Sequence, residues 1–544
     1  MAEPLLTAIG KGLSVRSARA AKTGEGVLDE STFNAIEVDR LFDAVNYAGT
    51  IAGQATLYRS LAHPLSSIEA IRAKQDALRE LDSNTDLRTR IEALVQQAAR
   101  HEGELYRLLF GTFLGMFGES RDTMNTGGYG HKTYRQGTKL MLDLAKGAHA
   151  LPTPESPYLQ AQIDTLKAFG STRSHTLMKG PAYLTERAIR TRAEKWFLTP
   201  AIKFRPTLFK PRLIVALVMA MGLLLYYAPA LGVPRQVLPA MMTLLLPVVL
   251  LYGPLIGGFD RDSIIYPLRD GYRDSHDVQQ TLEALGRIDE LLAFHRYAKA
   301  FGSPAVLPEL LDSERHTLVL KTVSNPVLGK GNAEYVPNDI SLNGARITFM
   351  TGPNGGGKTA FCKTITQVQL LAQIGCYVPA EQAQLSVADR IFYQIPESNS
   401  LADREGRFGT ELQRTKAIFF ASSPKSLVVL DELAEGTTYQ EKLEISRTIL
   451  GGFYHVGNNT ILVTHNHELA EQFQQRGVGL YRQVEFVYNA PTHRFVEGIS
   501  RVSHADKVAR RIGFAKEDIE RHLAERGYRG ESESPPKERA KDSI

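Results

Sequence analysis

Apolar positions in the first part of the chain recur at helical spacing. Ile68, Ile71, Leu78 and Leu81 form one stripe, and Ser66 with Glu69 reads as a capping box ahead of it. Leu87, Ile91, Leu94, Val95 and Ala98 form a second stripe, and Asp82-Ser83-Asn84 between the two reads as a loop. A Gly-rich basic stretch from Arg121 to Lys139 reads as a solvated loop. Leu282, Leu285, Ile288 and Leu292 predict a further helix, capped by Asp277 or Ser275. From about residue 318 short β-rich runs alternate with helices, the pattern of an α/β domain. No repeat at a fixed period is visible. The tail from Gly527 onward, with Ser532, Ser534, Pro535 and Pro536 among mixed charges, is expected to be disordered.

Two runs break this texture. Leu213 to Pro234 and Val237 to Phe259 carry no charge, and only Arg235 and Gln236 separate them. Each is long enough as a helix to cross a hydrocarbon core of roughly 30 Å, so the pair reads as a transmembrane helical hairpin. Lys203, Arg205, Lys210 and Arg212 precede it, which places both chain ends on the cytoplasmic side. The expected location is the inner or cytoplasmic membrane, with lipid contacted through residues 213–259. Neither run holds an Asp, Glu, Lys, Arg or His, so anchoring fits better than transport.

Composition adds limits. The 544 residues exceed one ordinary domain, and 43% hydrophobic with 23% charged residues describes a folding chain. A formal charge of +5 over this length does not announce a nucleic-acid binder. Only Cys362 and Cys376 are present, which excludes a disulfide framework and a zinc ribbon and suits a reducing compartment. Lys11, Arg16, Arg19 and Lys22 lie in the first 25 residues without a signal-peptide core.

The chemistry is concentrated after residue 345. Gly352, Pro353, Asn354, Gly355, Gly356, Gly357, Lys358 and Thr359 fit G-x-x-x-x-G-K-[ST] directly after the apolar strand Ile347 to Met350, with a helix beginning at Lys358 or Thr359, and these eight residues with Ala360 are the candidate nucleotide-binding residues of the loop. Such a loop closes backbone N–H groups around phosphate oxygens; Lys358 reaches the β- and γ-phosphates and Thr359 ligates Mg²⁺. Leu427 to Leu430 is a buried-strand run ending in Asp431, a candidate for the Mg²⁺ shell, and Glu432, a candidate general base. A third strand, Ile461 to Val463, ends in Thr464 and His465, which would sense the γ-phosphate. The cofactors implied are ATP and Mg²⁺. Lys358, Glu432 and His465 are the candidate catalytic set, Thr359 and Asp431 the metal ligands.

The segments Thr351 to Thr359, Asp431 to Thr438 and Thr464 to Leu469 resemble the ATPase domain of MutS proteins, a DNA mismatch repair family. Tyr335 to Ile340 is similar to the stretch before that family's first ATPase strand, which implies adenine stacking by Tyr335. Gly375 to Ala380 with Asp389 to Phe392 is similar to the stretch after its phosphate-loop helix, and Ser503 to Ile519 resembles its helix-turn-helix. Leu41-Phe42, Gly49-Thr50, Gly53, Leu57, Pro64-Leu65, Ile68 and Lys74-Gln75 more faintly resemble the opening of its helical core. The resemblance implies ATP hydrolysis at a homodimer interface formed by the ATPase domain, with DNA as a partner by resemblance alone. It departs at Gly406, where the family's signature loop has a serine, with Arg407 next to it, and at Ala434-Glu435-Gly436, where many relatives have Gly-Arg-Gly. Taken with the hairpin read from the uncharged runs, the resemblance suggests a membrane-anchored variant without the mismatch-recognition and connector domains.

The expected fold is therefore an α/β P-loop (ABC-type) ATPase domain preceded by a mostly α-helical core/lever domain that a transmembrane hairpin interrupts. The expected division is an N-terminal segment 1–30, helical core/lever 31–205, hairpin 206–262, returning lever 263–317, ATPase domain 318–502, dimerisation helix-turn-helix 503–527 and tail 528–544. Two other readings remain open: a transport-type or membrane-remodelling ATPase without a DNA role, and a soluble DNA-binding clamp whose hairpin is not inserted.

Overall fold

The computed structural model describes residues 5–10, 14–115, 128–186, 188–204, 258–353, 355–396, 406–434, 438–488, 490–501, 510 and 512–526, with scattered single positions between 219 and 243. A six-stranded sheet organises the carboxyl-terminal half. Its order is Ile391–Gln394, Leu427–Asp431, Asn459–Thr464, Ile347–Thr351, Leu480–Val487 and Ala490–Glu497; the first five run parallel and the last is antiparallel. The first four strands in this order are buried throughout, as continuous apolar strands must be. Side chains alternate between the faces. Val429, Ile461, Val463 and Met350 join the core under the helix Lys358–Gln373, whereas Val428, Leu430, Leu462 and Phe349 join a second core with Ile418, Leu450, Phe453 and Phe473. Beside this sheet lies a four-stranded one, ordered Glu309–Leu311, Gln382–Ser386, Leu318–Val323, Asn338–Ser341.

The amino-terminal half is helical, as its periodicity predicts. The helix Ile68–Ser83 buries Ile71, Leu78 and Leu81, and its cap is Ser67, whose hydroxyl accepts from Ala70 N–H at 3.2 Å; the expected Ser66 lies one residue early. The helix Thr85–Phe110 buries Leu87, Ile91, Leu94, Val95 and Ala98. The break between them is a single residue, Asn84, which caps the second helix, while Asp82 and Ser83 are still helical. The solvated loop expected up to Lys139 is corrected from His131 onward, where a helix to His149 begins. Gly137 allows that helix to lie against Glu104 and Leu105: a Cβ there would stand 2.9 Å from the Leu105 Cα.

The helix His276–Ala300, with Ser275 at its cap, is buried along most of its length and packs on the helix Ile51–Ala62. Gly286 and Gly53 bring the two together, since a Cβ on Gly286 would lie 2.8 Å from the Ala52 carbonyl oxygen. Their apolar residues are continuous with the core beneath the six-stranded sheet.

The membrane location does not stand. No helix among the described residues is long and apolar enough to cross a membrane. The proposed spans 213–234 and 237–259 lie almost wholly outside the described residues, and the lipid contact goes with them. Absence of charge is only one requirement of a span. Pro229, Pro239, Pro247 and Pro254 each remove a backbone donor within these runs. Where the described chain resumes at Gly258, it leads into a helical stretch that buries Ile264, Ile265, Leu268 and Tyr272 in protein core. The tail from Gly527 and the segment 502–509 also lie outside the described residues; the helix Lys516–Glu525 is the described helix of the expected helix-turn-helix.

Candidate nucleotide site

Three strand ends and one loop meet at the carboxyl edge of the sheet. The strand Ile347–Thr351 runs into the glycine loop, and Gly352, Gly355 and Gly357 adopt φ of 134°, 79° and 92°, a region open to glycine and strained for other residues. Gly356 is required for a different reason: a Cβ there would fall 2.8 Å from Val484 Cγ2. Asn354 lies outside the described residues. Gly357 caps the helix Lys358–Gln373, whose first-turn N–H groups and dipole face the loop. Lys358 is 5% exposed and folds back, its Nζ donating to the carbonyls of Gly352 at 2.7 Å and Pro353 at 3.0 Å. Burial lowers its pKa, against the pull of Asp431 and Glu432.

The neighbouring strand supplies the acids. Asp431 is 7% exposed; burial raises its carboxyl above the ordinary range, opposed by hydrogen bonds from Thr359 and Tyr393 and by the charge of Lys358. Tyr393, absent from the sequence-level set, donates to Asp431 Oδ2 at 3.4 Å. Glu432 has left-handed backbone, φ 66°, held by its N–H donating to Val463 O at 2.9 Å. His465, beyond the end of the next strand, brings Nε2 to 3.4 Å from Glu432 Oε1. Thus Lys358, Thr359, Asp431, Glu432 and His465 do converge.

Tyr335 stands apart from that group. Its hydroxyl bonds the Thr364 side chain and the Asn325 backbone, which ties it to the flank of the phosphate-loop helix; burial raises its pKa despite these bonds. Ala360 is half-buried in the first turn of that helix. Next to it, Phe361 stacks on Phe495 with centroids 4.7 Å apart. His493, on the last strand, lies with Nδ1 3.4 Å from where a Cβ on Gly357 would be, and its carbonyl accepts from Asn338 at 3.0 Å. Sequence reasoning missed it because a lone histidine in a hairpin strand has no local signature. Gly406 opens the helix Gly406–Ala421, and Glu405 and the loop 435–437 lie outside the described residues.

The donor set suits one magnesium ion better than a protein-only metal centre. Asp431 and Thr359 offer a carboxylate and a hydroxyl in mutual contact, and magnesium normally completes its shell with phosphate oxygens and water. Among the described residues no group of three or more His, Cys, Asp or Glu could hold a metal alone.

Fold and site together define a P-loop α/β nucleotide-binding domain. The comparisons with known proteins narrow the class. Residues 348–521 match the family MutS domain V, about a third of the chain. The chain is 35% identical over 200 residues to the DNA mismatch repair protein MutS of Desulforamulus reducens, covering 36% of this chain and 22% of that protein. It is 34% identical over 171 residues to the DNA mismatch repair protein MSH3 of Kluyveromyces lactis, covering 30% and 16%. Against the Endonuclease MutS2 of Thermomicrobium roseum it is 36% identical over 259 residues, covering 45% and 32%. The chain spans about a third or less of the length of these relatives, and the family match within it is to MutS domain V alone.

Proposed function

We propose that this protein is a MutS-like ATPase that binds ATP with Mg²⁺, hydrolyses it at a site completed by a second copy of the chain, and couples the cycle to DNA. The observation that carries the reading is the convergence of five side chains at one sheet edge, with Asp431 against Thr359 and His465 3.4 Å from Glu432. The glycine loop and the start of the helix at Lys358 cradle the phosphates. Lys358 exchanges its two carbonyl partners for β- and γ-phosphate oxygens. Thr359 and Asp431 hold the Mg²⁺, which when bound neutralises charge developing on the phosphates. Glu432 takes a proton from the attacking water as the bond between the γ-phosphorus and the ADP oxygen breaks, and His465 fixes the Glu432 carboxylate. His493, beside the loop, and Tyr335, against the flank of the phosphate-loop helix, serve as contacts for the nucleoside.

Dimerisation through the ATPase domain, the DNA partner and the division into a helical part, ATPase domain 318–502 and segment 503–527 belong to the same proposal. The names of the relatives support a DNA link, as mismatch repair proteins and an endonuclease. Steady-state ATP hydrolysis, with and without homoduplex and mismatched DNA at fixed salt, tests it. Turnover that Lys358→Ala abolishes and that DNA alters supports the proposal; turnover indifferent to every DNA removes its DNA part.

A further inference from the structure

Residues 24–32 run along the open edge of the six-stranded sheet. The edge strand Ile391–Gln394 pairs with residues 27 and 28: Ile391 N–H donates to Val27 O at 2.8 Å, and Leu28 bridges Ile391 in parallel. Arg390 Nη2 donates to Gly24 O at 3.0 Å and Tyr393 N–H to Thr32 Oγ1 at 3.1 Å. At the end of this strap Asp29 is 2% exposed and receives a fork from Arg414 on the helix Gly406–Ala421, with Nη1 2.7 Å from Oδ2 and Nη2 3.0 Å from Oδ1. Thr23 joins them, its hydroxyl 2.8 Å from Asp29 and 2.6 Å from Arg414. Burial pushes the Asp29 carboxyl up, but Arg414 and Thr32 outweigh it and hold it below the usual range.

The same helix reaches the catalytic turn. Glu411, one turn before Arg414, is 2% exposed, and its Oε1 accepts the N–H of Ala434. Thr415 exchanges hydrogen bonds with Gln394 at 3.0 and 3.1 Å, which fixes the helix to the edge strand. Ala434 and Glu432 both occupy left-handed backbone, φ 58° and 66°. That conformation is strained for residues with a Cβ and persists where the surroundings impose it. The Glu411 carboxylate is such a restraint.

We propose that Asp29 is a positioning residue for the general base: through Arg414 it sets the helix that carries Glu411, and Glu411 holds the turn that aims Glu432. The inference rests on the ATPase reading above. Asp29 bonds Thr23, Thr32 and Arg414, none of which belongs to the glycine loop or the acid pair, so its loss acts on kcat and spares ATP binding. A displacement of order 1 Å at a reacting group can cost about a hundredfold, so a tenfold or greater fall in kcat is expected for Asp29→Asn and for Arg414→Gln. KM and the affinity for a fluorescent ATP analogue stay within about twofold. The double variant is no slower than the worse single one, because both break one link. Arg414→Lys keeps the charge without the fork, falls between, and serves where the others fold poorly.

Asn84→Ala, which removes a helix cap far from the sheet, is the control for stability alone: it lowers the melting temperature without lowering kcat well below it. If Asp29→Asn and Arg414→Gln behave like Asn84→Ala, with kcat within twofold of wild type, the positioning role is overturned and the ATPase reading survives. A wild-type protein that hydrolyses no ATP overturns both.

Discussion

Lys74 couples the helical half to the phosphate-loop helix, and its removal has a calculable cost. Its Nζ donates to Glu290 Oε2 at 2.7 Å and to the carbonyl of Ile374, at the end of the helix Lys358–Gln373, at 3.2 Å. The Lys74 side chain is 7% exposed and that of Glu290 0%. Burial alone would lower the Lys74 pKa; attraction to Glu290 more than offsets it, so the ammonium sits above its ordinary value. Lys74→Met keeps the stem packed against Gly375 but strands a buried acid, which costs about 3–5 kcal/mol, and the freed Ile374 carbonyl adds about 1 kcal/mol. Lys74→Met with Glu290→Gln removes the charge imbalance, and the loss shrinks to about 2 kcal/mol. Equilibrium urea unfolding followed by circular dichroism measures this. With a slope of about 3 kcal/mol/M, the single variant moves the midpoint down by more than ~1 M. A single-variant loss below about 1 kcal/mol, or a double variant no more stable than the single, would refute the reasoning.

Two further outcomes follow from the same structure. Gly356→Ala drives a Cβ to 2.8 Å from Val484 Cγ2, so nucleotide affinity falls tenfold or more in a fluorescent-ATP titration, and adding Val484→Ala recovers part of it. Glu102 accepts from Ile51 N–H, Ala52 N–H and Tyr106 Oη, yet burial raises its pKa from 4.5 to about 7. The fold thus favours its protonated form, and that stability is present at low pH and lost as pH rises from 4.5 through 7, by about 1.4 kcal/mol per unit. His316, buried and lowered from 6.5 to about 4, has the opposite slope between those values, so wild type minus Glu102→Gln is the quantity to follow by chemical denaturation. A difference that does not change with pH would count against the assignment.

What the sequence made legible was local. The glycine loop, the strand before it and the helix start at Lys358 are contiguous, and loop and helix start appear where the motif puts them. The acid pair and His465 were legible because each ends an apolar run, and parallel strands deliver such ends to one edge. The Asp29–Arg414 pair joins residues 385 apart, and no periodicity encodes it. The helix from His131 was hidden behind Gly127, Gly128 and Gly130, which read as loop punctuation although Gly130 ends where the helix begins. Length without charge suggested a membrane span; hydropathy alone does not say whether a run forms one continuous helix.

The most direct test of the ATPase account is Mg²⁺-dependent ATP hydrolysis by the full chain beside its Glu432→Gln variant, with nucleotide binding measured on both. The account predicts that the variant binds ATP as wild type does and loses turnover by about 10²–10⁴-fold. Wild-type turnover in Glu432→Gln would contradict it.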